Sequence, residues 1–153
     1  MQVLYVDENR DLEQEVKARQ VNLNQLLQKS DFISLHVPLV PETRHLISEK
    51  ELKMMKPSAY LINTSRGPVV DEKALVKALQ ESWISGAGLD VYEYEPKMVA
   101  GLKECKNTVL LPHLGSATNE TRTNMGLICA ENAAAIWQGT KPPQIVNPEI
   151  YDQ

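Results

Sequence analysis

Cysteine is scarce in this chain: Cys105 and Cys129 are the only two among 153 residues, and they form no C-x-x-C pair. A disulfide framework is excluded, and two isolated thiols fit a reducing cytoplasm. There is no surplus of positive charge either. Sixteen Lys and Arg against twenty Asp and Glu leave a net charge of −4, which gives no electrostatic footprint for nucleic acid or an anionic membrane surface. Long apolar runs are missing. The opening stretch Met1–Val6 stops at Asp7, far short of the ~20 residues that a spanning helix needs, and nothing resembles a signal segment. His36 and His45 have no carboxylate or cysteine at metal-ligand spacing, so no metal site is expected. Internal repeats, low-complexity runs and linkers are also absent. What is present is a hydrophobic content of 42% in a length suited to one globular domain with a real core.

Short β-rich runs alternate with helical patterns along the chain, which predicts an α/β fold with a parallel sheet. Val3–Val6 is the first run, followed by a charged helical stretch, Asp11–Arg19, a brief extension at Gln20–Val21 and a short helix around Leu23–Lys29. Phe32–His36 is the second clear strand and ends at Pro38, which cannot continue a central ladder. Ser48 and Glu51 have capping-box spacing, so a helix begins there and stops before Pro57. Ala59–Asn63 is the third strand. Asp71 caps a helix whose Leu75, Val76 and Leu79 share one face. Ile84–Val91 and Thr108–Leu111 complete the strands. Thr118 opens a long helix, Asn119–Gln138, stopped by Gly139, with a plain tail from Pro142 to Gln153. That helix is apolar on more than one face and calls for cover on more than one side.

Open parallel sheets bind ligands beyond the carboxyl ends of their strands. The residues there are Asp7, then His36-Val37-Pro38, then Thr64-Ser65-Arg66-Gly67, then Asp90 with Glu93 and Glu95, then His113-Leu114-Gly115-Ser116. One guanidinium, several carboxylates and one imidazole converge on a single edge. Each has a plain alternative. Asp7 suits the ribose hydroxyls of an adenine dinucleotide, or is a solvated turn aspartate. Arg66, in a tight Ser-Arg-Gly-Pro loop, suits a carboxylate gripped by paired hydrogen bonds, or is a surface arginine. His113 suits proton donation to a carbonyl oxygen, more so if Glu95 holds its ring, or is an inert loop histidine. The G-x-G-x-x-G turn of dinucleotide domains is not in the sequence. Gly86 and Gly88 form G-x-G, but position 91 is Val and the pair precedes a strand end instead of opening a helix.

At four places the residues resemble the D-isomer-specific 2-hydroxyacid dehydrogenases. Leu26–Leu39 (LLQKSDFISLHVPL) resembles that family's central signature, and Met55–Asp71 (MKPSAYLINTSRGPVVD) its third. Gly88–Pro96 (GLDVYEYEP) and Leu111–Thr118 (LPHLGSAT) resemble its two catalytic segments, and all four stand in the family's order. The resemblance implies a cofactor, NAD, and a role for each matching residue. Arg66 would bind the substrate carboxylate, His113 would be the acid/base, and Glu95 would orient His113 and raise its pKa. Asp90 would meet the nicotinamide, and Asp7 would take the adenosine ribose and favour NAD over NADP. Val37, Thr64, Ser65, Arg66, His113, Gly115 and Ser116 would line the cofactor. The implied reaction is reduction of a small 2-oxo acid of the glyoxylate/hydroxypyruvate class. The Glu-x-Pro position separates the chain from the related formate dehydrogenases, which pair their histidine with a glutamine.

Members of that family are about twice as long. The expected fold is a truncated, Rossmann-like, doubly wound parallel sheet that lacks its first strand and G-x-G-x-x-G turn. Residues 1–140 would form a partial NAD-binding domain and 141–153 a tail, with the substrate domain absent. In the order 3-2-1-4-5-6 the lost strand lies in the middle, so Val3–Val6 and Phe32–His36 each lose a neighbour at about 4.8 Å. Buried unpaired backbone groups cost about 1–3 kcal/mol apiece. The expected answers are direct pairing of Val3–Val6 with Phe32–His36, or a homodimer or partner chain that supplies a strand; poor folding is the third outcome. Weak or no turnover is expected of the isolated chain, and a non-catalytic Rossmann-fold protein that acts by association or weak nucleotide binding is the alternative.

Overall fold

The computed structural model describes residues 1–7 and 17–151. These fall into two compact units, Met1–Pro112 and His113–Gln153, each described by itself. The first carries the strands β1 (Leu4–Tyr5), β2 (Arg19–Gln20), β3 (Phe32–Leu35), β4 (Tyr60–Asn63), β5 (Gly86–Leu89) and β6 (Thr108–Leu110), with the helices α1 (Leu23–Lys29), α2 (Glu49–Met54) and α3 (Glu72–Gln80) between them. Strands β3-β4-β5-β6 form a four-stranded sheet in that order, and all its pairs are parallel.

Alternation along the strands sets the two faces of this sheet. Ile33, Leu61 and Ala87 are register partners, as are Leu35, Asn63 and Leu89, and all six are buried. Against them pack Leu27 of α1, Leu52 of α2 and Leu75, Val76 and Leu79 of α3, which share one continuous core. Full burial of each such aliphatic side chain contributes roughly 1.5–3 kcal/mol. The helices share a face because the chain advances from β3 to β4 to β5 in one direction, and right-handed crossovers then land on the same side. Phe32, Tyr60 and Val109 stay exposed. Phe32 and Tyr60 stack with ring centroids 5.5 Å apart. Gly86 is their neighbour in register, and a Cβ there would lie 2.6 Å from the Asn107 carbonyl oxygen, so a side chain cannot be accommodated.

Local chemistry ends the helices where the sequence pattern puts them. The Asp71 carboxylate accepts hydrogen bonds from the N–H groups of Lys73 and Ala74, at 3.0 and 3.1 Å, capping α3. At α2 the Glu51 carboxylate accepts from the Ser48 N–H and hydroxyl, at 3.2 and 2.7 Å. Helix α1 coincides with the expected Leu23–Lys29.

Strand pairing at the amino-terminal end differs from expectation. Val3–Val6 does not pair with Phe32–His36: β1 pairs in parallel with β2, in a separate two-stranded sheet. Arg19, expected to end a helix over Asp11–Arg19, is in β2, while residues 11–16 of that stretch lie outside the described residues. The Arg19 N–H donates to the Val3 carbonyl and the Val21 N–H to the Tyr5 carbonyl, both at 3.0 Å, so β2 pairs one edge of β1.

The second unit carries α4 (Asn119–Trp137), whose N-terminus is capped by the Thr118 hydroxyl accepting from the Thr121 N–H at 3.1 Å. No residue of α4 is buried, and Met125, Leu127, Ile128, Ile136 and Trp137 are exposed. Gly139 follows at φ 70°, and the tail ends in a 3-10 turn, Pro148–Tyr151.

Candidate active site

The loops that follow β4 and β5 are built around one buried amide. Asn63 ends β4, and its Oδ1 accepts from the Ser65 N–H and hydroxyl at 3.1 and 2.9 Å, while its Nδ2 donates to the Arg66 carbonyl at 3.0 Å. The turn Thr64-Ser65-Arg66 is thereby held from within, leaving Thr64 and Arg66 exposed. The Asn63 carbonyl accepts from the Asp90 N–H at 3.0 Å, which ties the end of β4 to buried Asp90 after β5. Val37, half-buried, follows β3 on the same edge, and half-buried Asp7 follows β1 in the other sheet.

Gly67 brings the Arg66 turn against the segment that bears Glu95. A Cβ on Gly67 would lie 1.9 Å from the carbonyl carbon and oxygen of Tyr92 and 2.5 Å from the Glu93 nitrogen, so only glycine permits this backbone approach. Tyr92 is buried, and its hydroxyl donates to the Leu111 carbonyl at 2.7 Å, fastening the start of the segment to the end of β6. Burial, then the nearby Asp90 carboxylate, pushes the Tyr92 phenol above its ordinary pKa. The Glu95 carboxylate accepts from the Tyr92 N–H at 3.0 Å. Arg66 and Glu95 thus sit on two loops in backbone contact. His113, Gly115 and Ser116 belong to the second unit. His113 is exposed with φ 55°, a left-handed conformation uncommon outside glycine, at the sharp bend after Pro112.

Three buried or half-buried groups on this edge carry no motif that spacing would disclose. Glu72, the first residue of α3, and Glu93 have buried side chains. Burial pushes the Glu72 carboxyl above its ordinary pKa, against hydrogen bonds from the backbone of Glu93 and Val99 that pull it down; the Glu93 and Glu95 charges add to the rise. His45, which has no carboxylate at metal-ligand spacing along the sequence, meets one through the fold: its Nε2 lies 2.7 Å from Glu93 Oε1, and the Arg44 guanidinium lies 3.4 Å from the same oxygen. The pair spans 48 positions, beyond any ligand spacing read along one stretch. No group of three or more His, Cys, Asp or Glu capable of holding a metal occurs among the described residues. Nor is any helix among them long and apolar enough to cross a membrane.

Known proteins bear directly on this edge. The family model described as D-isomer specific 2-hydroxyacid dehydrogenase, NAD binding domain, matches residues 1–115. The chain belongs to this dehydrogenase family. A glyoxylate reductase of Thermococcus litoralis is 53% identical over 152 residues, covering 98% of this chain and 46% of that protein. Among solved structures, the TT0316 protein from Thermus thermophilus matches with a TM-score of 0.88 and 39% identity, over 95% of this chain and 46% of its own. A glyoxylate reductase from Paecilomyes thermophila matches with a TM-score of 0.84 and 41% identity, over 96% of this chain and 45% of its own. The chain therefore spans about half the length of the curated relatives it matches.

The parallel α/β sheet is that of the NAD-binding domain of these dehydrogenases. Its donor set fits the cofactor. Half-buried Asp7 offers acceptor oxygens of the kind that take ribose hydroxyls, half-buried Val37 an apolar contact, and exposed Thr64 a hydroxyl.

Proposed function

We propose that this edge handles a small 2-oxo acid of the glyoxylate/hydroxypyruvate class in an NAD-dependent reduction. The observation that carries the reading is the exposed Arg66 guanidinium on a turn locked by Asn63 and pressed through Gly67 onto the Glu95 segment. Arg66 Nη1 donates to the Ser65 carbonyl at 2.7 Å, and the remaining N–H groups of a guanidinium on so ordered a turn can grip a carboxylate. Asp7, Val37, Thr64, Ser65 and Asp90 would hold the reduced cofactor, NADH, which would supply the hydride when bound. Arg66 fixes the acid so that its carbonyl carbon, not its carboxylate, meets that hydride. His113 delivers the proton to the carbonyl oxygen and, as imidazolium, stabilises the charge developing there. Glu95 is the carboxylate assigned to orient the acid/base. Asp7 disfavours a 2′-phosphate on the cofactor by charge repulsion. The soluble partner is the 2-oxo or 2-hydroxy acid, and a second copy or partner chain supplies a strand beside β1 and β3.

The test is glyoxylate-dependent loss of NADH absorbance with the polypeptide at high concentration. The expected result is slow turnover that falls by about 10²–10⁴-fold in His113→Gln. In Arg66→Gln the KM for glyoxylate rises. Loss of NADH that ignores glyoxylate, or that proceeds equally in His113→Gln, contradicts the reading.

A further inference from the structure

The segment carrying Glu95 is tied down on both sides by one side chain from another element. Glu72 Oε1 accepts from the Glu93 N–H at 2.5 Å, and Glu72 Oε2 accepts from the Val99 N–H at 3.2 Å. The two peptide groups bracket Glu95. The contact is reciprocal, since the Glu72 N–H donates to Glu93 Oε2 at 3.4 Å. Glu93 Oε1 in turn meets His45 and Arg44 from the loop before α2. Three loops therefore meet at the Glu72–Glu93 pair: the one containing Arg44 and His45, the one running from Arg66 into α3, and the one bearing Glu95. Among the described residues no buried side-chain nitrogen or oxygen is left without a hydrogen-bond partner, so this network is complete.

A carboxylate is costly to bury, and a hydrophobic residue at the start of α3 would pack against the same core without that cost. Its position in the first turn of a helix offsets part of the penalty, because the helix dipole favours an anion there. The two backbone N–H groups offset more of it. What the carboxylate provides that an apolar side chain cannot is a fixed distance between two peptide groups on either side of Glu95. We propose that Glu72 is a positioning residue: its carboxylate spans the Glu93 and Val99 N–H groups and holds Glu95 at a set height against the Arg66 loop. The role rests on the proposed reading of Arg66 and Glu95. Glu72 acts on Glu95 through the backbone. The charged and titratable groups around it are Glu93 and Glu95 on the clamped segment, Tyr92 just before them and, beyond Glu93, Arg44 and His45.

The test is by NMR on the full chain, comparing the unsubstituted protein with Glu72→Gln and Glu72→Asp. Asp keeps the charge but is one methylene shorter, so it cannot reach both N–H groups. In the unsubstituted chain the Glu93 and Val99 amide protons should be shifted downfield and should titrate together with the Glu72 carboxyl. Both variants should lose the paired shift, exchange these two amides about tenfold faster or more, and move the titration of the Glu95 side-chain carboxyl. The buried methyl resonances of Leu75 and Ile84 report that the fold is kept. If Gln fails to fold, the Asp variant and the unsubstituted titration still decide the matter. Glu93 and Val99 amides that do not follow the Glu72 carboxyl overturn the proposal. So does a Glu95 titration unchanged in folded Glu72→Asp, which keeps the charge and so isolates the loss of the two-point clamp from the loss of Coulomb repulsion. None of these readouts needs turnover, so failure of the reductase reading shows separately, in the NADH assay.

Discussion

The two sheets of this chain obey the same backbone rules with unequal support. Strands β3 to β5 present Ile33, Leu35, Leu61, Ala87 and Leu89 to a layer of three helices, and every one of those side chains is buried. Strands β1 and β2 have two residues each, with Leu4 and Tyr5 half-buried and Arg19 and Gln20 exposed. Both sheets are parallel, so hydrogen-bond pattern does not distinguish them. The difference is packing: a ladder with a core behind it holds its register through side chains, while a ladder of two residues relies on backbone bonds that gain little over water. The turns proposed to face the substrate follow the well-packed strands β4 and β5, where rigid elements can fix them. Asp7, proposed to take the adenosine ribose, follows the thin sheet.

The largest difference between the two sheets is expected from shortened side chains. Leu61→Ala empties a site in the four-stranded core and should lower unfolding stability by about 2–5 kcal/mol in urea melts. Leu4→Ala, at a half-buried position in β1, should lower it by less than about 1 kcal/mol. Equal losses would mean that both sheets lean on the core alike. A smaller effect sharpens the contrast at Glu72. Its carboxyl pKa is raised in the folded chain, so the folded state binds the extra proton. Its contribution is therefore fully present below the usual glutamate pKa and is lost as pH rises through the folded value. The stability deficit of Glu72→Gln should thus be largest in acid and narrow as pH rises through that window. A deficit that widens over the same range would mean that the folded pKa is lowered.

Much of this was legible in the sequence. Strands β3 to β6 stand where β-rich runs end in turn residues, and Asp71 and Thr118 cap the helices they precede. The Thr64–Arg66 turn and Asp90 fall at carboxyl strand ends, as periodicity and the strand-end rule require. Pairing was less legible. Nothing local distinguishes β1 joining β2 from β1 joining β3, because register for so short a strand is weakly specified by side chains. The carboxylate network was hidden for another reason. Glu72 reaches residues 21 and 27 positions away and Glu93 reaches 48. Such contacts come from the fold bringing α3, the Arg44–His45 loop and the Glu95 segment together, and no spacing along one stretch encodes them. Gly67 was visible only as part of a tight turn, whereas its structural reason is the Tyr92–Glu93 peptide it touches.

The central claim is that ligand meets this chain at the carboxyl edge of the four-stranded sheet. The most direct test is to add NADH and then glyoxylate to isotope-labelled protein and follow the backbone amides. Shifts should concentrate at Val37, Thr64, Ser65, Arg66 and Asp90, and leave Phe32, Tyr60 and Gly86 at the opposite strand ends unmoved. Shifts centred on those amino-terminal strand ends, with Thr64 to Arg66 silent, would contradict it.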